Sequence, residues 1–170
     1  IEDLSLLPFT IKTDLRDNYP YGLISSPMQD IIEIHASSGT TGKPIVAGLT
    51  RHDIDMWGEV AARCLVSAHA DEHPIIQVSY GYGLFTGGFG LHYGAQTLGA
   101  TAIPMSGGNT ARQLMLMEDL AATHLACTPS YALYLSEALL EQKQTRDKLK
   151  YGVFGAEPWS KEMRAQIEKN

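Results

Sequence analysis

Eight small, hydroxylated or charged residues separate two apolar segments in this chain of 170 residues. They are Ser37-Ser38-Gly39-Thr40-Thr41-Gly42-Lys43-Pro44, with Ile31-Ile32-Glu33-Ile34 before them and Ile45-Val46-Ala47-Gly48-Leu49 after them. Apolar, β-branched runs on both sides of such a loop predict a strand, a turn and a second strand. Glycine lets the backbone approach a ligand, backbone N–H groups can form an anion-binding nest, and hydroxyls and a lysine add donors. The loop is therefore a candidate site for a polyphosphate.

The loop does not fit the G-x-x-x-x-G-K-[ST] motif of P-loop proteins, because two residues rather than four separate Gly39 from Gly42. Pro44 stands where that motif has its magnesium-binding hydroxyl, and it disfavours a helix starting at Lys43. A plain hairpin turn is the alternative interpretation, since Gly, Ser and Thr are common in turns. The complete string is more specific than its composition.

Composition excludes several classes of function. The formal net charge is −6 and there is no long basic run, which argues against nucleic acid or an anionic membrane as partner. Neither a membrane-spanning apolar stretch nor a signal peptide is visible. Cys64 and Cys127 lie in apolar settings and are expected to be buried free thiols, as in a reducing cytoplasm. Because residue 1 is Ile and the last residues have helical character, we expect a piece of a longer protein.

Strand-like and helix-like segments alternate after residue 50. We predict strands at 74–79, 101–105, 124–128 and 151–154, and helices at 53–70, 84–98, 110–122, 131–142 and from 160 onward, with Thr50 and Ser130 as caps. The fold class is therefore α/β, a layered, mainly parallel sheet with helices on both faces. Ligands bind beyond the carboxyl ends of such strands, so the loops beginning near residues 37, 80, 106, 128 and 155 are expected to gather at one edge.

Two local features allow more than one interpretation. Gly87, Gly88, Gly90 and Gly94 in the 84–98 helix suggest close approach by a backbone or a ligand, or tight helix–sheet packing. His69 and His73 flank two carboxylates, but Pro74 and the predicted helix end favour a solvated helix end over a metal site. We therefore predict no bound metal among the residues of this chain.

Several motifs resemble those of one enzyme superfamily. The 37–44 loop resembles the phosphate-binding loop of the adenylate-forming superfamily, in particular that of the phenylacetate–coenzyme A ligases. The other matching motifs are Leu7-Pro8-Phe9-Thr10-Ile11-Lys12-Thr13-Asp14-Leu15-Arg16, Tyr80-Gly81-Tyr82-Gly83-Leu84-Phe85-Thr86-Gly87-Gly88, Ser106-Gly107-Gly108-Asn109-Thr110 and Gly155-Ala156-Glu157-Pro158-Trp159. They keep the family's order over nearly the whole chain.

The resemblance implies an enzyme that activates phenylacetate or a related aryl acid in aromatic compound catabolism. The carboxylate attacks the α-phosphorus of ATP to give an acyl-adenylate and pyrophosphate, and the coenzyme A thiol then displaces AMP to give phenylacetyl-coenzyme A. ATP, Mg²⁺ and coenzyme A are therefore the implied cofactors. The implied ligands of the β- and γ-phosphates are Ser37, Ser38, Gly39, Thr40, Thr41, Gly42 and Lys43, with Lys43 as the catalytic cation.

Two further groups complete the candidate site. Tyr80, Phe85, Gly87 and Gly88 are the candidate acyl pocket, because aromatic walls suit an aryl ring and glycine leaves room for it. The resemblance assigns Gly155, Ala156, Glu157 and Pro158 to the border of the adenine and the acyl group.

The family's later parts have no counterpart in these 170 residues. They are the magnesium-binding glutamate, the ribose-binding aspartate, the hinge and the small C-terminal domain with its adenylation lysine. We therefore expect residues 1–170 to be a partial N-terminal, AMP-binding domain of a cytoplasmic ligase, inactive alone. A non-catalytic nucleotide- or acyl-binding module is the alternative, and a homodimer is compatible with either.

Overall fold

The computed structural model describes residues 2–39, 42–70, 73–84, 86–143 and 147–170. Contacts divide the chain into two compact units, Ile1–Asp53 and Ile54–Asn170. The first unit carries a β-hairpin and the second a parallel sheet.

The first unit is built around an antiparallel hairpin of strands β1 (Ile31–Ala36) and β2 (Val46–Thr50). Helix α1 (Lys12–Asp17) and two 3₁₀ turns, Glu2–Leu6 and Met28–Asp30, precede it. Ala36 pairs with Val46, so residues 37–45 form the connection between the strands. The predicted strand, turn and second strand are confirmed.

The second unit contains a four-stranded parallel sheet in the order β4-β3-β5-β6. Its strands are β3 (Ile75–Val78), β4 (Thr101–Ile103), β5 (His124–Cys127) and β6 (Tyr151–Phe154). The helices are α2 (Arg51–Ser67), which leads into this unit, α3 (Gly87–Leu98), α4 (Thr110–Asp119), α5 (Pro129–Glu141) and α6 (Lys161–Lys169). Strands and helices alternate as predicted, with ends that differ by a few residues.

The two faces of the sheet are buried under different helices, because successive side chains of a strand point to opposite faces. One cluster contains Leu65, Ile76, Val78, Ala95 and Ala126, and the other contains Leu114, Met117, Leu125, Cys127 and Leu135. Helices α2 and α3 supply the first cluster, and α4 and α5 supply the second. The predicted α/β layering with helices on both faces is confirmed.

Two predictions about helix ends had different outcomes. Thr50 caps α2 as predicted: its Oγ1 accepts from the Asp53 N–H at 3.3 Å, and Asp53 Oδ2 accepts from the Thr50 N–H at 2.8 Å. The prediction that Ser130 caps α5 was wrong. Thr128 Oγ1 accepts from the Tyr131 N–H at 3.3 Å instead, and Pro129 opens the helix. Proline is favoured there because the first helical N–H has no intrahelical partner.

Helices α2 and α3 are packed closely through small residues. A Cβ added at Gly90 would lie 2.6 Å from the Trp57 indole nitrogen, and one at Gly94 would lie 2.7 Å from Ala61 Cβ. These α3 glycines therefore serve helix–helix packing.

Cys64 lies on the outer side of α2 and is exposed, so its predicted burial was wrong, whereas Cys127 is buried as predicted.

Candidate active site

Loops that follow three parallel strands line one cleft of about 400 Å³ in the second unit. The lining residues are Ser79, Tyr80, Gly81, Gly107, Gly108, Thr128, Ser130, Tyr131 and Tyr134. They follow β3, β4 and β5, whose carboxyl ends meet at one edge because the strands are parallel. The predicted convergence of the loops near residues 80, 106 and 128 is thus confirmed.

Three tyrosines give the cleft aromatic walls. Tyr80 follows β3, while Tyr131 and Tyr134 lie three residues apart on α5 and stack with their ring centroids 6.3 Å apart. Sequence reasoning missed the two α5 tyrosines because it considered only the leucine face of that helix. Their i, i+3 spacing just after a strand end was the available signal. Flat apolar rings with hydroxyl groups can contact an aryl group and a polar substituent together.

The Tyr80 hydroxyl links the loops after three strands. It donates to the Cys127 carbonyl oxygen at 2.5 Å and accepts from the Gly155 N–H at 3.0 Å. Burial raises the pKa of Tyr80, so the phenol keeps its proton at neutral pH. Tyr80 therefore lies in the cleft wall and also fixes the segment that begins at Gly155.

The Gly155 segment is held a second time through Glu157. Its Oε1 accepts from the Ser130 N–H at 2.6 Å, in the first turn of α5. Hydrogen bonds from the Ser130 side chain and backbone lower the pKa of Glu157. Ala156, between Gly155 and Glu157, has a positive φ of 73°. Pro158, which follows Glu157, is exposed. The structure thus places the predicted 155–158 segment beside α5, whose first residues line the cleft.

The remaining predicted acyl-pocket residues are Phe85, Gly87 and Gly88. Phe85 is outside the described residues. Gly87 and Gly88 open α3, where the Gly88 N–H donates to the Gly81 carbonyl at 3.1 Å. These two glycines are not among the described residues that line the cleft, and their contact with an acyl group stays a prediction.

The candidate phosphate loop belongs to the first unit. The Ser37 N–H donates to the Ile45 carbonyl, and Ser37 Oγ accepts from the Ile45 N–H, both at 2.9 Å. Gly39 and Gly42 have positive φ values of 65° and 131°, which glycine adopts without strain. Ser38 is exposed, while Thr40 and Thr41 lie outside the described residues. Ser37 therefore closes the loop, and the glycines shape it.

Lys43 is the cation of this loop. It is exposed, and its ammonium nitrogen lies 5.3 Å from the centroid of the Tyr19 ring. An exposed contact of this kind is worth only about 0.5–1 kcal/mol, so the side chain can exchange the ring for an anion.

Cys127, whose carbonyl oxygen accepts from the Tyr80 hydroxyl, is not a candidate nucleophile. Burial raises the pKa of the Cys127 thiol to about 12, so the thiolate nucleophile is not available at neutral pH.

Across the described ranges, no helix is both long and apolar enough to cross a bilayer.

Solved structures with the same fold define the class of protein. A 2-hydroxyisobutyryl-CoA ligase in an open conformation, bound to 2-HIB-AMP and CoA, superimposes with a TM-score of 0.86 at 27% identity over 95% of this chain and 40% of that one. A long-chain-fatty-acid-CoA ligase from Archaeoglobus fulgidus shares the fold at a TM-score of 0.62 and 22% identity, over 84% of this chain and 28% of that one. The fold is that of the adenylate-forming CoA ligases.

Sequence relatives narrow this class. The chain is 50% identical to the phenylacetate-coenzyme A ligase of Pseudomonas putida and 51% identical to that of Escherichia coli strain K12, in each case over 99% of its own length. The chain is therefore a homologue of the phenylacetate–coenzyme A ligases. It spans about two fifths of the length of these relatives, 39% in both cases. No protein-family model matches the sequence.

Proposed function

We propose that the protein containing this chain activates phenylacetate or a related aryl acid with ATP and converts the acyl-adenylate to a coenzyme A thioester. The observation that carries this proposal is the 47–51% identity to phenylacetate-coenzyme A ligases over 99% of the chain. The aromatic cleft at the strand ends supports it, because such walls suit an aryl ring.

The chain's own residues take distinct parts in this proposal. Tyr80, Tyr131 and Tyr134 contact the aryl group, and the 155–158 segment borders the acyl-adenylate. The 37–43 loop binds the β- and γ-phosphates, and Lys43 offsets the charge that develops as pyrophosphate leaves.

Magnesium, which the resemblance implies as the ATP complex, would supply charge neutralisation when bound. Among the described residues, no group of three or more His, Cys, Asp or Glu could hold a metal ion.

Residues 1–170 form, in this proposal, part of the N-terminal AMP-binding domain. The remaining functions of an adenylate-forming ligase, ribose binding and the adenylation lysine, come from other parts of the complete protein. A cytoplasmic location and a homodimer belong to the same proposal.

The test uses the complete gene product that contains this chain. It is incubated with ATP, Mg²⁺, coenzyme A and one acid at a time: phenylacetate, benzoate, 2-hydroxyisobutyrate or a long-chain fatty acid. Pyrophosphate and thioester are followed separately. We expect both products with phenylacetate and much less with the aliphatic acids. Aliphatic preference would overturn the acid assignment, and the absence of both products with every acid would support a non-catalytic binding module.

The 170-residue chain alone is the matched comparison. We expect no turnover from it, since each 1.36 kcal/mol of lost transition-state stabilisation costs about tenfold in rate and several contributions are lost together. Turnover above a no-enzyme control would show that the other parts are dispensable or that the active site lies elsewhere.

A further inference from the structure

The turn between β4 and α4 forms one wall of the cleft in an unfavourable backbone conformation. Ser106, Gly108 and Asn109 have positive φ values of 62°, 82° and 51°. Ser106 and Asn109 carry a Cβ, so this conformation costs free energy and persists only where the surroundings hold it. Gly107 and Gly108 line the cleft.

Gln113 on α4 supplies much of that support. Its Nε2 donates to the Ser106 carbonyl oxygen at 2.7 Å and to the Gly108 carbonyl oxygen at 3.2 Å. Its Oε1 accepts from Ser79 Oγ at 2.8 Å and from Gln77 Nε2 at 2.7 Å. Two donated and two accepted bonds saturate an amide side chain, and Gln113 is 0% exposed.

These bonds join two walls of the same cleft. Ser79 lines it at the end of β3, and Gly108 lines it across the turn after β4. Gln113 itself is not among the described residues that line the cleft, so it acts through the others. Tyr131, a third wall residue, donates from its hydroxyl to the same Gly108 carbonyl at 3.2 Å. A displacement of the turn would therefore move a tyrosine of the α5 wall as well.

We propose that Gln113 is a positioning residue that fixes the 106–108 wall against the end of β3 and thereby sets the width of the cleft for the acyl group. The inference rests on the proposed function for the identity of the ligand, but not for the positioning of the wall.

Two substitutions separate positioning from simple stability in the complete protein. Gln113→Leu removes all four bonds, whereas Gln113→Glu keeps the acceptors and loses both donors to the turn. Gln77→Leu is the matched control, because it removes an amide of the same size from the same network and leaves both bonds to the turn intact.

We expect the KM for phenylacetate to rise about ten- to a hundredfold in both Gln113 variants, with a smaller change in kcat, because a misplaced wall weakens acid binding. Amide hydrogen exchange over residues 106–109 should become about tenfold faster, since two hydrogen bonds to the turn are lost. Gln77→Leu should stay within about twofold of the wild type in both readouts.

Several outcomes would overturn the inference. One is a folded Gln113 variant with unchanged KM and unchanged exchange. Another is an equal response of Gln77→Leu. A third is failure of both Gln113 variants to fold, which would make the residue structural only. If the wild type makes no thioester, the proposed function fails, and hydrogen exchange still decides whether Gln113 positions the turn.

Discussion

The 37–44 loop and the 106–109 turn both follow a strand and both depend on glycine, but they are held in opposite ways. Hydrogen bonds from the buried side-chain amide of Gln113 hold the turn. The loop is instead closed at its base by Ser37, and its Lys43 is exposed. The proposed ligands explain the difference. A wall that recognises the shape of an acyl group gains from preorganisation, whereas an exposed lysine on a flexible side chain can follow a pyrophosphate as it leaves.

The largest expected effect comes from the loop. Lys43→Ala in the complete protein should slow adenylate formation by about a hundredfold, the usual cost of losing one stabilising donor. Thioester formation should change much less, because pyrophosphate has already left. Pre-steady-state measurement of the two half-reactions gives both rates.

Lys43→Arg is the control for this experiment, since it retains the positive charge and should recover part of the adenylation rate. All three proteins should unfold at the same urea concentration, because the side chain is exposed. Equal loss in both half-reactions would show that the loop is structural, and the contrast with the cleft wall would disappear.

In the cleft, by contrast, the next expected effect is on the stability of the fold. Tyr80→Phe keeps the aromatic wall but leaves the Gly155 N–H and the Cys127 carbonyl without this partner. We expect the free energy of unfolding to fall by about 0.5–1.5 kcal/mol, the net worth of a typical hydrogen bond, because the Gly155 N–H keeps its longer bond to the Cys127 carbonyl at 3.4 Å. Urea unfolding of the complete protein measures it.

Tyr82→Phe provides the comparison, because the Tyr82 hydroxyl lies 3.4 Å from His92 Nδ1, near the limit of a hydrogen bond. Its loss should cost less than that of the Tyr80 hydroxyl. A Tyr80→Phe protein as stable as the wild type would mean that the hydroxyl does not fix the Gly155 segment.

The smallest effect is expected at Glu157. Ser130 lowers the pKa of this carboxyl from its ordinary value of 4.5, so the ionised form stabilises the folded state. That contribution is complete above about pH 5 and is lost as the pH falls through the lower folded-state pKa. The difference in Tm between wild type and Glu157→Gln should therefore be constant from about pH 5 to 7 and vanish in acid. A difference that grows in acid would contradict this assignment.

Local patterns in the sequence were sufficient for most of the fold. Strand β6 was predicted with its observed ends, since Tyr151 to Phe154 lie between a charged loop and a glycine turn. The start of α5 was missed because Pro129 was interpreted as the end of a strand, although proline also suits the first turn of a helix. Cys64 was misplaced because an apolar neighbourhood in sequence does not show which side of a helix faces the core.

The candidate site depends on contacts that no local pattern contains. Glu157 meets Ser130 across 27 positions, and Gln113 meets Ser79 across 34. Sequence motifs indicated the loops that form the cleft, but the hydrogen bonds that fix those loops follow from the order of the strands.

That order also limits how the sheet can grow. Strands β4 and β6 are its two outer members, so any further strand of the complete protein that joins this sheet must pair with one of them. A parallel strand added beside β6 would bring its own following loop next to Gly155, because parallel strands end on the same side. A strand added there would extend the cleft along the edge of the sheet. The ends of β3 and β5, which form the floor of the cleft, would be unchanged.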